Sequence, residues 1–295
     1  MSYYISVLQF FVLNSLLGLS VYLVLSTGQL TLGNAGFMSI GAYTAALLST
    51  KLAMPFWVTV PAGALAAAVV AIPLGAACLR LSGVYLAVAT LGFSESIRVL
   101  WNGMQSIGGP MGISGIPSIP GAIAKAIRSI ENRPEWLNPK TTSDVAMLLL
   151  FLAFLGLILF FLKRQEKGRV GRAFAAIRAN EIAAGAMGID PTYYKVLAFV
   201  QGALIAGLAG ALSAHLNFAI APAEFGFARA IEMLSFVVIG GTGLPLGPIL
   251  GSGVMAFLSE ALREATSLRF ILLGLLMMAM MAIRPQGLLK RRVGA

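Results

Sequence analysis

"DVAMLLLFLAFLGLILFFLKRQEKGRVGRAFAAIRANEIAAGAMGID" occupies residues 144–190 and sets two chemistries side by side. Its first part, 144–162, is an almost unbroken apolar run, and a bilayer span needs about 20 such residues. From Lys163 onward the chain turns polar and Arg-rich while keeping helix-forming residues. The apolar run predicts a membrane helix, because barrel strands would alternate in segments of ~10 residues. The polar run predicts a helical element in water between two spans.

The same pattern repeats on both sides of this stretch. Of the 295 residues, 58% are hydrophobic and only 11% are charged, where soluble domains carry roughly a quarter. Apolar segments fall at 5–26, 35–50, 56–79, 84–101, 144–162, 194–218, 231–241, 244–262 and 268–283. The fold class is therefore an all-α polytopic helical bundle with eight or nine membrane segments, some of them discontinuous. The opening "MSYYISVLQFFVLNSLLGLSVYLVLS" has no basic residue before its apolar core, which predicts a retained first helix rather than a cleaved signal.

The net charge of +10 does not point to nucleic acid, because the basic residues flank the apolar spans. Lys163, Arg164, Lys167, Arg169, Arg172, Arg178 and Lys195 gather around the middle loop, and Arg284, Lys290, Arg291 and Arg292 close the chain. The positive-inside bias predicts a cytoplasmic loop at 163–193 and a cytoplasmic tail at 284–295. Counting back puts Arg80 inside, the Gly- and Pro-rich segment 102–143 outside, and the N-terminus outside.

Reactive chemistry is sparse. Cys78 and His215 are the sole residues of their kinds, so neither a disulfide nor a His-rich metal site can form within the chain. Both are expected to pack. GxxxxGK[ST], HExxH and GxSxG patterns are absent, which predicts no catalytic centre, no metal and no cofactor. Glu95 and Arg98 stand at i, i+3 and are expected to pair. Glu224, Arg229 and Glu232 are expected in one outer turn, and Glu260, Arg263 and Glu264 at the start of another outer loop. An ion-coupled carrier, which would want an unpaired carboxylate at mid-membrane, stays open as an alternative.

Two Gly-broken stretches are alike: "VLSTGQLTLGNAG" at 24–36 and "VIGGTGLPLGPIL" at 238–250. They suggest an internal repeat, a common plan in transporters. Gly28, Gly33, Gly240, Gly241 and Gly243 would line a pathway or let helices pack closely.

Within the polar stretch, one long helix would bury Glu181 beside Phe174 and Ile177. Two short helices avoid this. Val170, Phe174 and Ile177 form one stripe with Arg172 across from it, and Asn180 caps the second helix with Glu181 in its first turn. Gly188 can end it. Helices this short need a support, either the membrane surface or a protein.

"GRAFAAIRANEIAAGAMGID" (171–190) resembles the cytoplasmic coupling loop of ABC-importer permeases of the branched-chain amino acid type. "STGQLTLGNAGFMSIGAYTAALL" (26–48), "LSGVYLAVATLGFSESIR" (81–98), "GGPMGISGIP" (108–117), "VIGGTGLPLGPILGS" (238–252) and "RPQGLL" (284–289) follow in family order. The Gly-Val-Tyr-x-Ala block and the tail are similar to the LivM-type member of the permease pair. Gly185 stands where the family often has an acid, and Thr31 and Asn34 stand where Ser and His are frequent.

The resemblance implies one permease domain over 1–295 in a bacterial inner membrane. It also implies four kinds of surroundings: a second homologous permease, two cytoplasmic ATPase subunits, an external solute-binding protein and lipid. The cargo would be leucine, isoleucine or valine, with urea, amides and other amino acids carried elsewhere in the family. ATP hydrolysis would belong to the partners. Arg172, Phe174, Ile177, Arg178, Asn180 and Glu181 would couple to an ATPase. Gly28, Gln29, Thr31, Gly33, Asn34, Gly240, Gly241, Thr242 and Gly243 would wall the translocation pathway.

Overall fold

Continuous aliphatic sequence in lipid must satisfy its backbone within one segment, so these runs coil into helices. The structure is a computed structural model that describes residues 2–78, 81, 83–117, 139–261, 274, 275, 278, 282, 287 and 288. Helix α1 runs Ser2–Leu25, α2 Asn34–Lys51, α3 Phe56–Cys78 and α4 Val84–Gly103. Then come α5 at Pro139–Lys167, α6 at Arg169–Ala179 and α7 at Glu181–Ala186. Helix α8 covers Pro191–Asn217, α9 Phe227–Gly240 and α10 Gly247–Ala261. Helices α1, α3, α4, α5 and α8 are long and apolar enough to cross a membrane. The expected run 268–283, the tail 284–295, Arg80, Arg263 and Glu264 lie wholly or almost wholly outside the described residues.

Helix α2 is different in kind. Asn34, Ser39 and Ser49 dilute its apolar content, and all three are buried in protein rather than turned to lipid. It packs between α3 and α8. Small residues make that possible: a Cβ on Gly41 would collide with the Gly207 backbone, and one on Gly63 would press on the Gly41 carbonyl. Close backbone approach of this sort is the usual basis of helix association in membranes.

Hydroxyls and amides then join the helices. Ser15 and Ser252 share a 2.7 Å hydrogen bond, and Asn34 Nδ2 donates to Ser20 Oγ at 2.8 Å. His215, buried as expected, meets Thr59 Oγ1 at 2.9 Å and the Pro117 carbonyl at 2.9 Å. A two-residue antiparallel ladder, β1 (Ile113–Ser114) on β2 (Ala219–Ile220), ties the segment after α4 to the end of α8.

Three boundaries depart from the sequence expectation. Helix α5 starts at Pro139, inside the segment expected as an external loop to 143. It ends at Lys167 rather than 162, because Lys163–Lys167 are strong helix formers whose long stems can reach water. Of the expected outer-turn charges, only Glu224 sits in a turn, the 3-10 segment Pro222–Phe225, while Arg229 and Glu232 lie on α9. The reason is a cap from a distant helix. Glu95 pairs with Arg98 at 2.7 Å as expected, and its second oxygen accepts the Phe227 N–H at 2.9 Å, so α9 begins there.

Candidate functional site

Both Gly-rich stretches fold as helix, break, helix. Residues 26–33 separate α1 from α2, and residues 241–246 separate α9 from α10. Gly28 adopts φ +80° and Gly241 φ +100°, values that side chains rarely tolerate.

In the first break, α4 supplies the partners that the unwound backbone needs. Thr90 Oγ1 accepts the Leu32 N–H at 3.1 Å and Ser94 Oγ accepts the Gly36 N–H at 2.9 Å. Thr31 Oγ1 accepts the Gly33 N–H at 3.1 Å. Gln29, Thr31 and Asn34 are buried, and the Gln29 amide nitrogen has no hydrogen-bond partner among the described residues. These side chains hold the break from within.

The second break is tighter. A Cβ on Gly240 would strike Gly247, and one on Gly287 would strike Gly241. Leu288 N–H donates to the Ile239 carbonyl at 3.1 Å, so Gly287 and Leu288 lie against this turn.

The polar stretch forms the two expected helices. Asn180 is extended (φ −160°, ψ 112°) and its Oδ1 accepts the Ala183 N–H at 3.1 Å, which ends α6 and starts α7. Gly188 follows at φ +81°. Phe174 and Ile177 are buried, and Phe174 meets Tyr194 of α8 edge-on at 6.3 Å. Arg172 is exposed and donates to the Lys167 carbonyl at 3.2 Å. Glu181 pairs with Lys195 at 2.6 Å, a contact of small energy at this exposure.

Arg178 reaches across to the membrane helices. Its Nη2 donates to Thr242 Oγ1 at 2.8 Å and its Nη1 to the Thr242 carbonyl at 3.2 Å. Its Cα lies 3.6 Å from where a Cβ on Gly28 would stand. Aligning Val24 with Val238 places Gly28 opposite Thr242, so one arginine touches corresponding positions of both breaks.

A cavity of about 490 Å³ lies under α6. Tyr22, Glu166, Arg178, Thr242 and Gly243 line it, and the Tyr22 hydroxyl donates to Glu166 Oε1 at 2.9 Å. The expected coupling residues and the expected pathway residues Gly28, Thr242 and Gly243 thus meet at one end of the bundle. Gln29, Thr31, Gly33 and Asn34 lie deeper. The sequence reading missed Ile182 and Met187 on and beside α7, which are 86% and 83% exposed. Their signal was available: large apolar residues off the buried stripe of a water-facing helix have no internal partner.

The family model described as the branched-chain amino acid transport system permease component matches residues 3–281. The high-affinity branched-chain amino acid transport system permease protein LivM of Salmonella typhimurium is 38% identical over 92% of this chain, and so is that of Escherichia coli K12. The chain spans 66% of the length of those two relatives. The permease protein LivH of Escherichia coli K12 is 30% identical over 51% of this chain and 48% of its own length. No solved structure matches. On the near-complete family match, the chain belongs to the permease components of branched-chain amino acid transport systems.

Proposed function

We propose that this chain is the transmembrane permease subunit of an ABC importer for branched-chain amino acids. It works as a multi-pass protein of a bacterial inner membrane beside a second, homologous permease, two cytoplasmic ATPases and an external binding protein. Loop 163–193 and tail 284–295 face the cytoplasm, and segment 102–143 faces outward.

The Arg178–Thr242 contact carries the mechanistic part of this reading. Closure of the ATPases pulls on α6 and α7 through Ile182, Met187 and the exposed Arg172. Phe174 and Ile177 fix α6 to the bundle, Asn180 and Glu181 fix its angle to α7, and Arg178 passes the movement to both Gly-broken turns. Those turns can absorb backbone rotation because glycine permits it. The cargo path opens and closes around them.

Purified complex in proteoliposomes tests the assignment. Leucine uptake should require ATP inside the vesicles, on the ATPase side, together with the binding protein outside. Ile182→Asp with Met187→Asp should release the ATPases in a pulldown while leaving the permease pair intact. Uptake driven by a proton or sodium gradient without ATP would instead establish an ion-coupled carrier.

A further inference from the structure

A second cavity, of about 770 Å³, lies at the end of the bundle opposite α6. The N-terminal half of α1, the C-terminal ends of α8 and α10 and the first turns of α9 enclose it. Its size is that of a small-molecule site. Its wall combines an ion pair, two further acids (Glu224, and Glu260 with its Tyr3 hydroxyl donor) and an apolar face, which a lipid-filled gap between helices would not need.

Arg229 organises the polar side. Its Nη1 donates to Glu232 Oε2 at 2.6 Å and its Nη2 to Asn14 Oδ1 at 3.0 Å. These two side chains are 18% and 23% exposed at Arg229 and Glu232, so the pair is largely out of solvent. A guanidinium carries five N–H groups in a fork suited to carboxylates. Two are used, and the other three have no partner among the described residues. Asn14 spends its oxygen on Arg229, which leaves its Nδ2 as a further donor.

Glu224, on the turn before α9, lines the same cavity and makes no ion pair among the described residues. Burial against the surrounding wall pushes its carboxyl above the usual range, with a backbone hydrogen bond from Ala221 and the charge of Arg229 opposing. A cationic group placed there would stabilise the ionised form. Phe10, Leu13 and Ile231 supply the apolar face.

We propose that this cavity binds a free α-amino acid as its zwitterion, the carboxylate on Arg229 and Asn14, the ammonium at Glu224, and the side chain against Phe10, Leu13 and Ile231. The inference rests on the importer reading and gives this subunit a cargo site of its own on the side facing away from the ATPases. A site of this composition discriminates by charge geometry at both ends of the ligand and only weakly among aliphatic side chains, since one methylene changes affinity by about 10- to 200-fold at most.

The test uses the assembled transporter in nanodiscs, with Cys78→Ala and Ala228→Cys providing one reporter thiol on the cavity wall. Labelling by a water-soluble maleimide is followed with leucine, 3-methylbutylamine or 4-methylpentanoate, the last two lacking one charged end each. Leucine should slow labelling, and each analogue should need at least a tenfold higher concentration. Glu224→Gln should raise the half-protecting leucine concentration at least tenfold while leaving that of 4-methylpentanoate unchanged, a pattern that misfolding would not give. Equal protection by all three compounds, or none by leucine, would overturn the site. If the same complex moves leucine with ATP yet shows no protection, this inference alone fails; if it moves no leucine, the importer reading fails with it.

Discussion

Arg178 shows how much a single side chain can join. Its two hydrogen bonds to Thr242 are charge-assisted, and they fix a helix of the polar loop to the turn between α9 and α10. Lysine in its place would keep the charge and lose the fork that meets both oxygens. Arg178→Lys is expected to lower ATP-driven uptake about tenfold, ~1.4 kcal/mol of coupling, while ATPase retention in a pulldown stays unchanged. Thr242→Ser should behave as the native chain, and Thr242→Val should share the loss. Gly41 makes a different argument. Its neighbour across the interface is the Gly207 backbone itself, so even one methyl group has nowhere to go. Gly41→Val should force α2 away from α8 and cost about 1–3 kcal/mol or more. A drop in the melting temperature of the detergent-solubilised protein would measure it, and an unchanged melt would show that the two helices can separate freely.

At the scale of elements, α6 illustrates a helix that exists by virtue of what it docks on. It has 11 residues, too few to persist in water alone, and Phe174 and Ile177 hold it to α5 and α8. Phe174→Ala should cost about 3–5 kcal/mol locally. In hydrogen exchange, the amides of α6 and α7 should then open well before those of α1, α2 and α8. Uniform exchange across all of these helices would show that α6 is not a separate unit. The two-helix reading of this loop was legible in the sequence because Asn180, Glu181 and Gly188 are local signals acting within one or two turns. The long helices were legible for the same reason: continuous apolar runs carry their own instruction. The position of α2 was less so, since its 18 residues signal a span while its polar and small side chains serve a buried interior. Arg178–Thr242 was not legible at all. The two residues are 64 apart, and nothing local to either marks the other. Arg229 and Glu232 were placed in a turn because the cap that starts α9 early comes from Glu95, more than a hundred residues away.

For the whole molecule, α9 is the element that links the two cavities. Its 14 residues span about 21 Å at 1.5 Å per residue. Arg229 and Glu232 project from its first turns into the far cavity, and just past its other end Thr242 is held by Arg178. A helix transmits displacement along its axis with little loss, so a pull on α6 should reach the far cavity through α9. At that end Gly240, Gly241 and Gly247 approach so closely that no Cβ would fit, which ties the end of α9 to the turn beside Thr242. A non-hydrolysable ATP analogue added to the assembled transporter should therefore change the maleimide labelling rate at Ala228→Cys by about fivefold or more, within the usual range for coupled sites. Breaking the link with Arg178→Ala and Thr242→Val should remove most of that change without altering the rate in the absence of nucleotide. Thr242→Ser should preserve it. If the response survives loss of the Arg178–Thr242 contact, the signal travels by another route, and α1, which borders both cavities from Val7 to Leu23, becomes the element to test next.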